Sequence, residues 1–71
     1  MAVRFGSLQW WIRHLVEQTR WMAQCGGTRA GYQRHYAPFG RTAVNINAIY
    51  DADRAEWERA RDRVREKSRR G

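Results

Sequence analysis

The sequence predicts an all-α fold: a helical hairpin of two long helices joined by a short connecting helix, with pairing into a dimeric bundle as added support. Three observations carry this. Apolar residues recur at helical spacing on both sides of a glycine pair, Gly26-Gly27. The chain has 71 residues, enough for one domain, 1–71, with a small core. It has one cysteine, so no disulfide can staple that core and a second copy is the natural source of further burial.

Residues 1–6 read as a loose lead-in. Ser7 is a candidate N-cap, its hydroxyl placed to accept from a free backbone N–H of the first turn. From there Leu8, Ile12, Leu15, Thr19 and Met22 step by 4, 3, 4 and 3, with Trp11, Val16 and Ala23 widening the stripe. These positions predict the core-facing side of the first helix. The opposite side collects Trp10, His14, Glu17 and Trp21. Two tryptophans on a polar face read as a partner surface, for a second copy or another protein. A covering layer of the same chain and stacking on nucleic-acid bases are the alternatives.

Gly26 or Gly27 suits the left-handed position that ends a helix. Thr28 then caps a short helix through Tyr36, with Tyr32 and Tyr36 on one face. Gly31 in that helix costs about 1 kcal/mol relative to alanine. Its presence predicts close approach of another backbone, with the following helix as the candidate. Cys25 reads as a small buried hydrophobe. Its spacing to His14 and His35 matches neither a catalytic set nor a metal site. Ala37-Pro38-Phe39-Gly40-Arg41 is a turn-forming link. Pro38 is expected to move Ala37 out of helical geometry, and Phe39 to pin the link on the core.

The second long helix restarts between Thr42 and Asn47. Ile46, Ile49, Tyr50, Trp57, Ala60 and Val64 form its stripe, interrupted by Asp53. A carboxylate in an apolar seam needs partners. The indole of Trp11, the hydroxyl of Tyr32 and the backbone N–H groups of Gly26-Gly27 are the expected donors. Cys25, Gly26, Gly27, Tyr32 and Asp53 together form the expected structural anchor. After Trp57 the chain is dense in charge, and residues 66–71 read as a frayed basic tail. Arg61, Arg65, Lys67, Arg69 and Arg70 could contact phosphates. Residues 54–71 hold 8 basic and 4 acidic side chains, however, which dilutes that reading.

Over the whole chain 14 Lys+Arg face 7 Asp+Glu, a net charge of +7, which favours polyanions at least non-specifically. Four Trp, three Tyr and two Phe supply unusually rich aromatic surface. There are no paired carboxylates, no phosphate-cradling glycine loop and no zinc spacing. Catalysis, a metal and a cofactor are therefore not expected. Nor are a membrane span or a signal peptide, and the single cysteine fits a reducing cytoplasm. The expected activity is non-enzymatic protein binding, to itself and to a host protein. The alternative is a basic nucleic-acid binder.

Cys25-Gly26-Gly27-Thr28-Arg29-Ala30-Gly31-Tyr32, followed by Ala48-Ile49-Tyr50-Asp51-Ala52-Asp53, resembles a group of small uncharacterised actinobacteriophage proteins. In these a Cys-Gly-Gly corner leads through a Gly-Tyr turn and a loop to an Ile-Tyr-x-Ala-Asp helix. The resemblance spans roughly residues 8 to 64. The loop Pro38 to Asn47 departs from the group, whose loop is more acidic and richer in glycine. The resemblance implies a phage origin and cytoplasmic work in a bacterial host. It brings no established biochemical activity with it, but fits a factor that modifies a host process by binding.

Overall fold

In the computed structural model, which describes residues 3–69, Ser7 starts the first helix. Its hydroxyl accepts from the Trp10 N–H at 3.2 Å, and α1 runs Leu8–Gln24. The helix ends on Cys25. Gly26 takes φ +100°, its N–H returns to the Ala23 carbonyl, and that of Gly27 to Met22 at 2.9 Å. These two backward bonds satisfy carbonyls the helix would otherwise leave open. Thr28 then accepts from the Gly31 N–H at 3.0 Å and starts α2, Arg29–Tyr36.

Gly31 does meet another backbone, but it is that of Gly26 and not the following helix. A Cβ on Gly31 would lie 2.4 Å from the Gly26 carbonyl oxygen, and one on Gly26 2.4 Å from the Gly31 Cα. The corner closes on itself through two residues that have no side chain.

A single 3-10 turn, Ala37–Phe39, follows, closed by Gly40 at φ +74°. Two expectations are corrected here. Ala37 keeps helical geometry, φ −52° and ψ −43°. The turn's bond runs from the Gly40 N–H to the Ala37 carbonyl and asks no donor of Pro38. Phe39 does not pin the link to the core: it is 69% exposed, with its ring beside those of His35 and Tyr36.

Thr42 accepts from the Asn45 N–H at 3.2 Å beside the start of α3, Ala43–Arg69. At about 1.5 Å per residue α3 is about 40 Å long, and it sets the 44 Å long dimension of the molecule. α1 runs antiparallel along its second half, and α2 packs on its first half. Residues 66–69 of the expected basic tail belong to α3. The helix continues to Arg69, with Val64 and Lys67 half-buried. At the other end, a turn from the Ser7 N–H to the Arg4 carbonyl orders the part of the lead-in that is described. Residues 1–2 and 70–71 lie outside the described residues.

The core sits where the three helices meet. Met22, Cys25, Tyr32 and Ile46 are buried, with Tyr36, Ile49, Tyr50 and Trp57 packed around them. Trp11 and Ala60 are buried farther along the hairpin. Among the described residues the fold is all-α, as expected.

Candidate functional site

The side of α1 that meets α3 is set by Trp11, His14, Gln18, Met22 and Cys25, spaced 3, 4, 4 and 3. Two of these are polar, and each finds a partner across the seam. His14 Nε2 shares a hydrogen bond with Glu56 Oε1 at 2.9 Å. Gln18 Nε2 donates to the Asp53 carbonyl at 3.0 Å. Relative to the apolar stripe read from sequence, α1 is therefore rolled by about 80°. Leu15 and Met22 remain against or beside α3, but Ile12 and Val16 are left outside, 43% and 42% exposed.

The same roll corrects the placement of the aromatic face. Trp10, His14, Glu17 and Trp21 do not lie together on the side turned away from the hairpin. His14 is tied to Glu56. Trp21 donates its indole N–H to Asp53 Oδ2 at 3.1 Å. Trp10 is half-buried and stacks on the His14 ring at 5.1 Å, with Phe5 and Trp11 at its edges. Glu17 alone faces solvent without a partner among the described residues.

Asp53 gathers donors from both other helices. Oδ2 accepts from the Tyr32 hydroxyl at 2.8 Å as well as from Trp21. Trp11 is not a donor to it; its ring lies under the guanidinium groups of Arg59 and Arg63. The glycine corner is not a donor either, because its N–H groups close α1. Tyr32 is fully buried, and burial together with the bond to Asp53 pushes its hydroxyl far above its ordinary pKa. Cys25 lies beside it, equally buried. Burial raises the thiol's pKa, opposed by a hydrogen bond with Tyr36. That is the environment of an inert core thiol, not of a nucleophile. Arg29 closes the outside of this cluster, over the Tyr50 ring at 5.0 Å and paired with Asp51 at 2.7 Å.

Glu56 is held below the usual carboxylate range by the hydrogen bond from His14, with burial opposing and Arg59 adding to it. This places a carboxylate shared by His14 and Arg59 over the middle of the seam. On the other flank of the hairpin, Trp57 donates to Thr19 Oγ1 at 2.9 Å, and that hydroxyl donates to the Leu15 carbonyl. Arg54 and Arg61 lie over the two sides of the Trp57 ring system at 5.5 and 5.3 Å. Between Trp57 and α1 is an open groove of about 280 Å³, lined by Thr19, Met22, Ala23, Gly27, Arg54 and Trp57. Ile12 and Val16 continue its α1 wall. Arg13 and Arg20 follow along the outer edge of the same stripe, both exposed.

The apolar spacing places Ile12 and Val16 in the core and gives Arg13 and Arg20 no role. The signal was there in the seam spacing, which leads directly from Trp11 to Cys25 at the corner. The expected phosphate stripe is only partly assembled. Arg61, Arg65 and Arg69 follow one another at spacing four on one flank of α3. Lys67 sits half-buried away from them. Arg61 is also paired with Asp62 at 3.1 Å. Arg70 lies outside the described residues.

No group of His, Cys, Asp and Glu among the described residues is placed to hold a metal ion. No described helix is long and apolar enough to cross a membrane. No protein-family model, curated protein or solved structure matches the chain.

Proposed function

We propose that the chain is a small non-enzymatic accessory factor that binds another protein along the outward side of α1. The phage origin and bacterial cytoplasm implied by its resemblance fit that role. The observation that carries the reading is the exposure of Ile12 and Val16 beside the open groove at Trp57. Two branched aliphatic side chains in line with a groove form a continuous apolar track, the kind of surface that a partner helix covers. The partner surface is thus reassigned from Trp10, His14, Glu17 and Trp21, of which His14 and Trp21 are engaged within the fold.

The test is capture of a protein from nuclease-treated bacterial lysate, followed by reconstitution with that protein purified. The Ile12→Ser/Val16→Ser variant should fold with an unchanged helical spectrum and lose the interaction. Capture that survives this double substitution refutes the assigned face.

A second reading has its own observation. Arg65 and Arg69 are exposed and have no ion-pair partner among the described residues. They could contact nucleic-acid phosphates together with Arg61 on the same flank of α3. Capture abolished by nuclease and insensitive to Ile12→Ser/Val16→Ser would favour it.

A further inference from the structure

We infer that the occupant of the α1 track is an acidic amphipathic helix of another protein, its apolar seam on Ile12, Val16 and the Trp57 groove and its carboxylates on the two arginine rims. This rests on the reading that the outward side of α1 binds protein.

Shape supports a helix. Ile12, Val16, Thr19 and Ala23 follow one another over about three turns, roughly 16 Å. The track opens at its far end on Gly27, where a Cβ would meet nothing within 4 Å. A helix with apolar residues at spacings of three and four matches a straight track of that length.

Charge selects which helix. Arg13 and Arg20 border one side of the track and make no ion pair among the described residues. Glu17, the one acid on α1, lies one turn from each and pairs with neither. On the other side stand Arg54, Arg61 and Arg65. The acids there are already engaged, Glu58 by Arg54 at 2.9 Å and Asp62 by Arg61 at 3.1 Å. After these pairs each rim keeps a net positive charge, from Arg13 and Arg20 against Glu17 on one side and from Arg65 on the other. Two copies meeting through this face would set arginine against arginine, in a chain of net charge +7. A phosphate backbone would answer the charge but would leave Ile12 and Val16 uncovered. Acids flanking an apolar seam answer both.

The experiment uses the full chain and two labelled synthetic peptides, followed by fluorescence anisotropy at low and moderate salt. One peptide is an amphipathic helix of about four turns with leucines at spacings of three and four, flanked by glutamates. The other replaces every glutamate by lysine. The glutamate peptide should bind and weaken with salt. It should lose about tenfold or more in affinity in Arg13→Glu/Arg20→Glu and lose binding in Ile12→Ser/Val16→Ser. Equal binding of both peptides overturns the acidic partner while leaving the protein-binding reading in place. Binding of neither peptide overturns the helical occupant, and the lysate capture then decides the protein-binding reading by itself. A dimer seen by light scattering that Val16→Ser dissociates also overturns the inference, because a second copy then covers the face.

Discussion

Replacing Asp53 by alanine removes an acceptor that ties all three helices together. The Tyr32 hydroxyl is fully buried and would be left without a partner. That costs about 1–3 kcal/mol. The Trp21 indole is 42% exposed, so water replaces most of what its bond contributes. Alanine in place of aspartate on α3 returns up to about 0.7 kcal/mol of helix propensity. The buried hydroxyl decides the sign, and the net loss should be about 0.5–2.5 kcal/mol. In a domain of this size each kcal/mol moves the melting temperature by about 4–8 °C. The melting temperature followed by far-ultraviolet circular dichroism should therefore fall by about 2–20 °C. Asp53→Asn keeps an acceptor oxygen and should lose about half as much. A double-mutant cycle with Tyr32→Phe should show a coupling of about 1–2 kcal/mol. A melting point for Asp53→Ala within about 2 °C of the parent, or full additivity with Tyr32→Phe, would refute the reasoning.

Three further outcomes follow from the corner and the seam. Gly31→Ala, which would gain about 1 kcal/mol in an open helix, should instead lower the urea midpoint, because the new Cβ meets Gly26 backbone at 2.4 Å. Glu56 has a folded pKa below its ordinary 4.5. Its stabilising contribution is complete above that value and is lost as pH falls through the lower folded value. Acid titration of stability should therefore be flatter in Glu56→Gln than in the parent. Tyr32 is the opposite case, raised above its ordinary 10.0. Its contribution is complete below pH 10.0 and declines as pH rises beyond it, so alkaline unfolding should be less steep in Tyr32→Phe, read by the same spectroscopic melts.

The parts of the fold visible in the sequence are those determined by one residue and its near neighbours. Ser7 and Thr28 cap helices because a short hydroxyl can reach a free N–H two or three residues on. Gly26 and Gly27 end α1 because both hold positive φ. Asp53 could be recognised as needing donors, and Tyr32 was among those expected. The roll of α1 could not be read in the same way. Counting apolar positions places Ile12 and Val16 inside and His14 and Gln18 outside. The fold does the reverse, because Glu56 and the Asp53 carbonyl lie opposite those two polar side chains. Whether a polar residue is acceptable in a seam depends on what stands across from it, and that residue is some forty positions away in the chain. The same non-local dependence hid the surface track. Ile12 and Val16 look like core until the rolled helix leaves each of them partly exposed.

The sulfur of Cys25 lies sealed beneath two tyrosines at the point where the helices turn. A thiol reagent can reach it only during those moments when the bend comes apart. The chain thus carries its own chronometer: the rate of mercaptan labelling in the untouched protein counts how often the elbow breathes. No substitution has to be made to hear it.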